Sequence, residues 1–291
     1  MQTRSLGPEA PAVSAVGFGG MPLSIRERPA EQVGERVIHA SLDAGVTLID
    51  TADVYCINDD DIGHNESLIR KALASWTGDR QSVTVATKGG LTRPQGRWET
   101  NGHPDHLRRA CDRSLQELAV DQIDLYQLHA PDPRVPLADS VGALANLKSE
   151  GKIRWVGLSN VSVDDIKVAE EIVPVVTVQN RLSPFFREAL ETGVVDYCAE
   201  RGIGFLAYSP VGGGRLNKKL PGHPLITAIA RRHGVSPHCV VLAWVLSRAP
   251  NVIPIPGART VEHALDSTHA PDLVLDASEL ATIDDAEFSI A

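Results

Sequence analysis

An α/β fold, with eight parallel strands closed into a (β/α)8 TIM barrel behind an N-terminal β-hairpin cap, is the architecture this sequence predicts. Three observations lead there. Short apolar runs rich in β-branched residues alternate with helical patterns, and counting strand–helix pairs from Val13 gives eight. The length, 291 residues, suits eight such units. The competing open doubly wound sheet usually carries a glycine-rich phosphate loop after its first strand, and Gly17-Phe18-Gly19-Gly20-Met21-Pro22 lacks that spacing. No linker or composition shift divides the chain, so residues 1–291 are expected to form a single barrel domain.

Residues 4–12, rich in Gly and Pro, read as the hairpin, and residues 13–18 as the first strand, broken by Gly19-Gly20. Residues 30–44 have helical spacing at Val33, Val37, Ile38, Ser41 and Leu42 and stop at Gly45, a C-terminal cap. Residues 46–49 form the next strand, which delivers Asp50 at its tip and leads to Tyr55 in the loop beyond. Helix 66–76 follows, with Leu68, Ile69, Ala72 and Leu73 on one face. The unit then repeats as strand 83–88 with helix 106–118, strand 122–129 with helix 137–149, and strand 153–159 with helix 163–171. Strand 175–180 pairs with helix 193–200, and strand 203–208 with helices around 225–233 and 237–247. A short strand at 252–255, a helix from Val261 and a helical piece at 278–287 complete the chain.

Composition narrows the partners. A net charge of -9 and the absence of a long basic stretch argue against nucleic acid and against an anionic membrane surface. Four scattered cysteines, Cys56, Cys111, Cys198 and Cys239, form neither a zinc pattern nor a disulfide framework, so no metal is expected and reduced thiols are. The first twenty residues lack the pattern of a secretory signal, and no apolar run is long enough for a membrane helix. A cytoplasmic protein acting on a small molecule is the expectation.

Catalytic groups of such barrels come from the C-terminal ends of several strands. Here those ends carry Asp50, Lys88, His129, Ser159-Asn160, Gln179-Asn180 and Tyr208-Ser209. Each alone has an ordinary explanation as polar trim. An acid, a lysine, a histidine and a nearby tyrosine at one mouth are harder to dismiss.

Asp50-Thr51-Ala52-Asp53-Val54-Tyr55, Thr87-Lys88, Leu128-His129-Ala130-Pro131-Asp132, Gly157-Leu158-Ser159-Asn160, Gln179-Asn180 and Tyr208-Ser209-Pro210 resemble the aldo-keto reductases in order and spacing. The resemblance runs from about Val13 to the Val261 helix. It implies reversible hydride transfer between a nicotinamide cofactor and a carbonyl, with Tyr55 as proton donor. A free phenol, with a pKa of about 10, is a reluctant acid at neutral pH. The resemblance gives Lys88 the role of lowering that value by its charge, Asp50 that of holding Lys88, and His129 that of orienting the carbonyl.

It also implies that Ser159, Asn160 and Gln179 hold the nicotinamide carboxamide and that Tyr208 stacks on its ring. Ser209, Val211 and Gly212 would wrap the pyrophosphate. Gly257, Arg259 and His263 lie in the adenosine-phosphate region, which lacks a lysine that many members place there. Arg259 and His263 remain as partners for a 2′-phosphate, so NADP(H) is expected, with NAD(H) as the alternative. The loop from Cys56 to Asn65 is longer than usual, and its Asp59-Asp60-Asp61 reads as a solvated turn rather than a calcium loop. Met21, Cys56 and Trp98, with Phe18, are candidate walls of the substrate pocket. The short, proline-rich 130–136 connection suggests an open pocket with few lid contacts.

An NADP(H)-dependent reductase of aldehydes or ketones is thus the leading expectation. A sugar or lactol dehydrogenase working in the oxidising direction is one alternative, and a nucleotide-sensing regulatory subunit with the same barrel is another. Oligomeric state and the substrate itself are not legible in these residues.

Overall fold

A computed structural model describes residues 1–291. The chain enters through an antiparallel hairpin, β1 (Thr3–Ser5) and β2 (Ala12–Ser14). Next come β3 (Phe18–Gly19), α1 (Glu31–Asp43), β4 (Leu48–Asp50), α2 (His64–Ser75) and β5 (Thr84–Gly89). A second small hairpin, β6 (Leu91–Thr92) and β7 (Glu99–Thr100), precedes α3 (Pro104–Leu118). The alternation continues with β8 (Ile123–Leu128), α4 (Leu137–Ser149), β9 (Ile153–Ser159), α5 (Val163–Glu170) and β10 (Val175–Arg181). The short α6 (Glu188–Glu191) leads to α7 (Val194–Arg201) and β11 (Gly204–Tyr208). Finally come α8 (Gly213–Leu216), α9 (Pro224–His233), α10 (Pro237–Leu246), β12 (Val252–Pro254), α11 (Val261–Thr268) and α12 (Ala277–Asp285).

Eight strands pair in parallel in the order β12-β11-β10-β9-β8-β5-β4-β3. The two ends of that sheet meet: the Gly17 and Gly19 amides each donate at 2.9 Å to the carbonyls of Pro254 and Pro256. Those bonds close the barrel and remove the free edges that an open sheet would expose.

Local chemistry explains many of the helix ends. Proline stands in the first turn of α3, α9 and α10, where its missing N–H would be unpaired anyway. Ser162 with Asp165 and Asp276 with Glu279 form reciprocal capping boxes at α5 and α12. Left-handed Gly202 and Gly234 stop α7 and α9.

Two apolar layers follow from the period-two alternation of the strands. One face of each strand packs with the surrounding helices into a cluster of 55 buried residues. The opposite, inward face contributes Leu48, Ala86, Leu125, Trp155, Leu206 and Ile253 to a smaller core. Leu6 and Val13 of the entry hairpin belong to that inner core and plug its floor. The fit there is tight, since a Cβ on Gly204 would meet the Leu6 carbonyl oxygen at 2.0 Å.

Four details differ from the expectation. The strand read over residues 13–18 is two pieces, because Ser14 exchanges hydrogen bonds with Thr47 (2.8 and 2.9 Å) and donates from Oγ to the Val16 carbonyl, which turns the chain before Phe18. Residues 90–102 hold a hairpin rather than a plain loop. Helix α2 begins at His64, two residues ahead of Glu66. Phe18, proposed as a pocket wall, is buried in the core between sheet and helices, because the barrel strand presents it outward.

Candidate active site

Two residues beyond the inner apolar layer, the same inward faces turn polar. Leu48 is followed by Asp50, Ala86 by Lys88, Leu125 by Gln127, and Leu206 by Tyr208. The barrel thus carries a polar layer at the C-terminal mouth directly above a dry one.

Lys88 is the centre of that layer. It is wholly buried, and its ammonium donates to Asp50 Oδ1 at 2.7 Å, the Thr51 carbonyl at 2.8 Å and the Tyr55 hydroxyl at 2.9 Å. All three N–H bonds of the ammonium are therefore spent, which is the condition for tolerating a cation at this depth. Asp50 Oδ2 accepts from Gln179 Nε2 at 2.7 Å and, more weakly, from Gln127 Nε2 at 3.4 Å. Gln127 Oε1 in turn accepts from Thr177 Oγ1 at 3.3 Å. Side chains of four strands thus hold one ion pair in place. Gln127 and Thr177 were not singled out from the sequence; their signal was their place on the inward face, two residues after an apolar one.

His129 follows β8 and meets the Tyr55 ring edge to face, with centroids 5.7 Å apart. Burial, then the Lys88 cation, hold its imidazole well below the ordinary histidine range, so it is neutral. Its Nδ1 is buried and finds no partner. We therefore assign the single ring proton to Nε2.

Tyr55 departs from the sequence expectation. Burial, then the Asp50 carboxylate, push its phenol well above the ordinary range, whereas Lys88 was expected to lower it. The physical reason is charge balance. Asp50 neutralises the ammonium at 2.7 Å, so little net positive field reaches the phenol and desolvation wins. Tyr55 rests as a neutral phenol.

The groups expected around a nicotinamide cluster on the neighbouring strand ends. Ser159 Oγ donates to the Gln179 carbonyl at 2.8 Å. Asn160, left-handed at φ 58°, donates from Nδ2 to the His129 carbonyl at 2.9 Å, and its Oδ1 accepts from the Tyr208 hydroxyl at 2.7 Å. Gln179 has its amide nitrogen committed to Asp50, which leaves Oε1 as its available group. Ser209 is also left-handed, at φ 50°, and Gly212 and Gly213 follow at φ 91° and 73°. This run turns the backbone sharply after Tyr208, around the half-buried Val211. The surface is open beyond this turn, since a Cβ on Gly214 would meet nothing within 4 Å.

The region expected to meet the adenosine phosphate is more committed. Arg259 donates to the carbonyls of Pro22 (3.1 Å) and Arg26 (3.0 Å), and lies 3.7 Å from Glu27. It staples the loop after β3. His263 sits in the first turn of α11, where its amide is capped by Thr260. Gly257 lies against Pro22 and Gly19 at the barrel seam.

Of the pocket candidates, Met21 packs on the cluster of Ala52, Val54 and Tyr55. Trp98 is half exposed and stands edge-on to both Tyr55 and His129, with centroids 6.4 Å away in each case. Cys56 is different. It is wholly buried, and its thiol donates to the Val54 and Asn58 carbonyls, so it offers the mouth no surface. Burial pushes that thiol up to about 11.

Asp59-Asp60-Asp61 forms a turn of 3-10 helix tied into its surroundings: Asp61 pairs with Arg28 at 2.5 Å, and Asp59 accepts from the Gln95 amide. The 130–136 connection is fastened by Asp132, which accepts from the Gly102 amide and from Arg134. Below the mouth lies a buried acid pair that the sequence reading passed over. Asp53 and Glu66 are both wholly buried, and Glu66 accepts from Thr87 Oγ1 at 2.6 Å. Burial raises Glu66 to about 7, and burial, then the Glu66 charge, raises Asp53 well above the ordinary carboxylate range.

Comparison with known proteins identifies the family. The family model described as "Aldo/keto reductase family" matches residues 15–287. An uncharacterized oxidoreductase of Schizosaccharomyces pombe is 37% identical, over 94% of this chain and 86% of its own. Among crystal structures, an aldo/keto reductase from Klebsiella pneumoniae in complex with NADP and acetate superposes with a TM-score of 0.81 at 29% identity, covering 98% of this chain and 95% of its own. The glycerol dehydrogenase of Gluconobacter oxydans superposes with a TM-score of 0.84 at 27% identity, covering 97% and 94%. With the family model spanning nearly the whole chain and the same barrel in its structural neighbours, this protein belongs to the aldo/keto reductase family.

Proposed function

We propose that the protein is an NADP(H)-dependent oxidoreductase that reduces an aldehyde or ketone to an alcohol, with Tyr55 as the proton donor. The observation that carries this reading is the Lys88 ammonium, bound at once to Asp50, the Thr51 carbonyl and the Tyr55 hydroxyl beside a neutral histidine. The cofactor, when bound, supplies the hydride. Ser159, Asn160, Gln179 and Tyr208 would hold its nicotinamide, Ser209, Val211 and Gly212 its pyrophosphate, and Gly257, Arg259 and His263 its adenosine end. The open left-handed turn after Tyr208 fits that group.

The chain's own residues do the rest. A carbonyl oxygen gains negative charge during reduction and needs donors aimed at it before the charge appears. His129 offers Nε2–H, and Tyr55 offers its hydroxyl. As charge develops, Tyr55 passes its proton to the oxygen, and Lys88 stabilises the phenolate left behind at 2.9 Å. Asp50 keeps Lys88 in register throughout. The same atoms serve alcohol oxidation when run backwards, with Tyr55 phenolate as base. The choice of NADP(H) is supported by the Klebsiella pneumoniae relative, which holds NADP.

Tyr55→Phe tests the reading. It leaves Lys88 with two of its three acceptors, so the fold and cofactor binding should survive. Carbonyl-dependent NADPH oxidation should fall by about 10²–10⁴-fold, the usual worth of a positioned general acid. NADPH binding, followed by fluorescence, should stay within a few-fold of the parent protein. Turnover that is unchanged in the variant would remove Tyr55 from the mechanism. Tight NADPH binding with no turnover of any carbonyl by the parent protein would favour the regulatory reading.

A further inference from the structure

A cavity of about 530 Å³ lies between the Asp59 turn, the β6–β7 hairpin and α3, and its wall includes none of the tetrad Asp50, Tyr55, Lys88 and His129. Arg93, Arg109 and Arg113 line it, with Asp59 as the only carboxylate on its wall. His106 is also there, but burial holds it below the ordinary range and it adds no charge at neutral pH. Three guanidiniums against one carboxylate leave a surplus of two positive charges in one cleft of an acidic chain.

Several of these guanidinium nitrogens find no hydrogen-bond partner within the protein. Arg93 is only 6% exposed, and it donates from Nη2 alone, to the carbonyls of Cys56 and Ile57. Its Nε and Nη1 are buried without a partner. Arg113 likewise leaves Nε buried and unpaired, and its nearest acid is Asp53 at 3.8 Å. Arg109 forms no hydrogen bond or ion pair with the protein. Converging guanidiniums repel each other, and a buried donor left unpaired carries its full desolvation cost.

We propose that this cleft is an anion site for a phosphoryl group, bound by Arg93, Arg109 and Arg113. A dianion matches the surplus charge, and planar guanidinium forks match its oxygens. The site is linked to the mouth through one ring. Arg93 stacks 3.8 Å from the centre of Trp98, the residue that stands edge-on to Tyr55 and His129. The phosphoryl group has two sources: a phosphorylated substrate whose carbonyl reaches Tyr55 past Trp98, or a free phosphate compound acting as an effector. The first source rests on the carbonyl-reductase reading; the anion site itself does not.

The test titrates inorganic phosphate into the full chain saturated with NADP+, so that the cofactor's own phosphate sites are filled. Calorimetry and tryptophan fluorescence follow binding, against potassium chloride at equal ionic strength. Saturable binding is expected with phosphate and not with chloride. Arg109→Glu should weaken it by about tenfold or more, the worth of a lost charged hydrogen bond, while Arg109→Lys should weaken it less. Arg109 is the variant of choice because it supports nothing else in the fold. No saturable phosphate binding, or equal binding by Arg109→Glu, would overturn the proposal. If phosphate raises KM for a phosphorylated aldehyde but not for its unphosphorylated counterpart, the substrate is the source. Phosphate binding with no such competition assigns the site to a free effector. Failure of NADP+ to bind would count against the cofactor reading alone, because the phosphate comparison between parent and Arg109→Glu can be repeated without it.

Discussion

Replacing Glu66 with Gln should change how stability depends on pH, and the size of the change can be worked from the structure. Glu66 is wholly buried, and its Oε1 accepts from Thr87 while Oε2 has no partner. Burial raises its carboxyl from 4.5 to about 7 in the folded protein. Because the folded value lies above the unfolded one, folding favours the protonated form. The stability contributed by Glu66 is therefore complete below about pH 4.5 and is lost as pH rises through about 7. The gap corresponds to about 3 kcal/mol, of which about 2–3 kcal/mol falls between pH 5 and pH 8. Glutamine keeps an acceptor for Thr87 but does not titrate. Urea unfolding of both proteins at several pH values across that range reads the difference directly. Glu66→Gln should gain on the parent protein by about 2–3 kcal/mol from pH 5 to pH 8. An offset constant with pH would refute the argument, since a purely steric effect of the amide carries no proton.

Other expectations follow from the same geometry. Lys88→Met should cost about 3–5 kcal/mol in urea unfolding and abolish turnover, because Asp50 would remain buried without its cation; a loss below about 1 kcal/mol would mean the pair contributes little. Trp98→Ala should raise KM for aromatic carbonyls several-fold with kcat little changed, since the ring lies at the mouth but bonds to none of the tetrad. A kcat loss as large as that of Tyr55→Phe would show that Trp98 positions the reacting groups. Because His129 is neutral well below 6.5, the rate of carbonyl reduction should show no imidazole titration between pH 6 and pH 8; a limb in that range that vanishes in His129→Gln would contradict this.

Much of the fold was legible because strand and helix periods are local. Leu48-Ile49-Asp50 and its counterparts carry their in-and-out alternation in the sequence itself, so Asp50 and Lys88 could be placed at strand ends, while the roles of Asp50, Tyr55, Lys88 and His129 came from the family resemblance. Boundaries were less secure where a distant partner competes for the backbone. Ser14 looked like part of a continuous strand, and only its exchange of hydrogen bonds with Thr47 shows that the chain turns there. Phe18 and Cys56 were misread for a related reason, since residue type does not reveal which way a loop or a two-residue strand turns its side chain.

The sequence by itself determined the barrel and the presence at one mouth of an acid, a lysine, a tyrosine and a histidine. Those follow from patterns that repeat within a few residues. What only the tertiary structure decided is how these groups share charge. Asp50 neutralises Lys88 closely enough for desolvation to govern Tyr55, and Gln179 reaches across 129 positions to hold Asp50. The three arginines of the cleft come from the β6–β7 hairpin and α3, and their unpaired donors have no signature in the sequence. Electrostatic strength depends on burial and separation, and both are set only when distant segments pack.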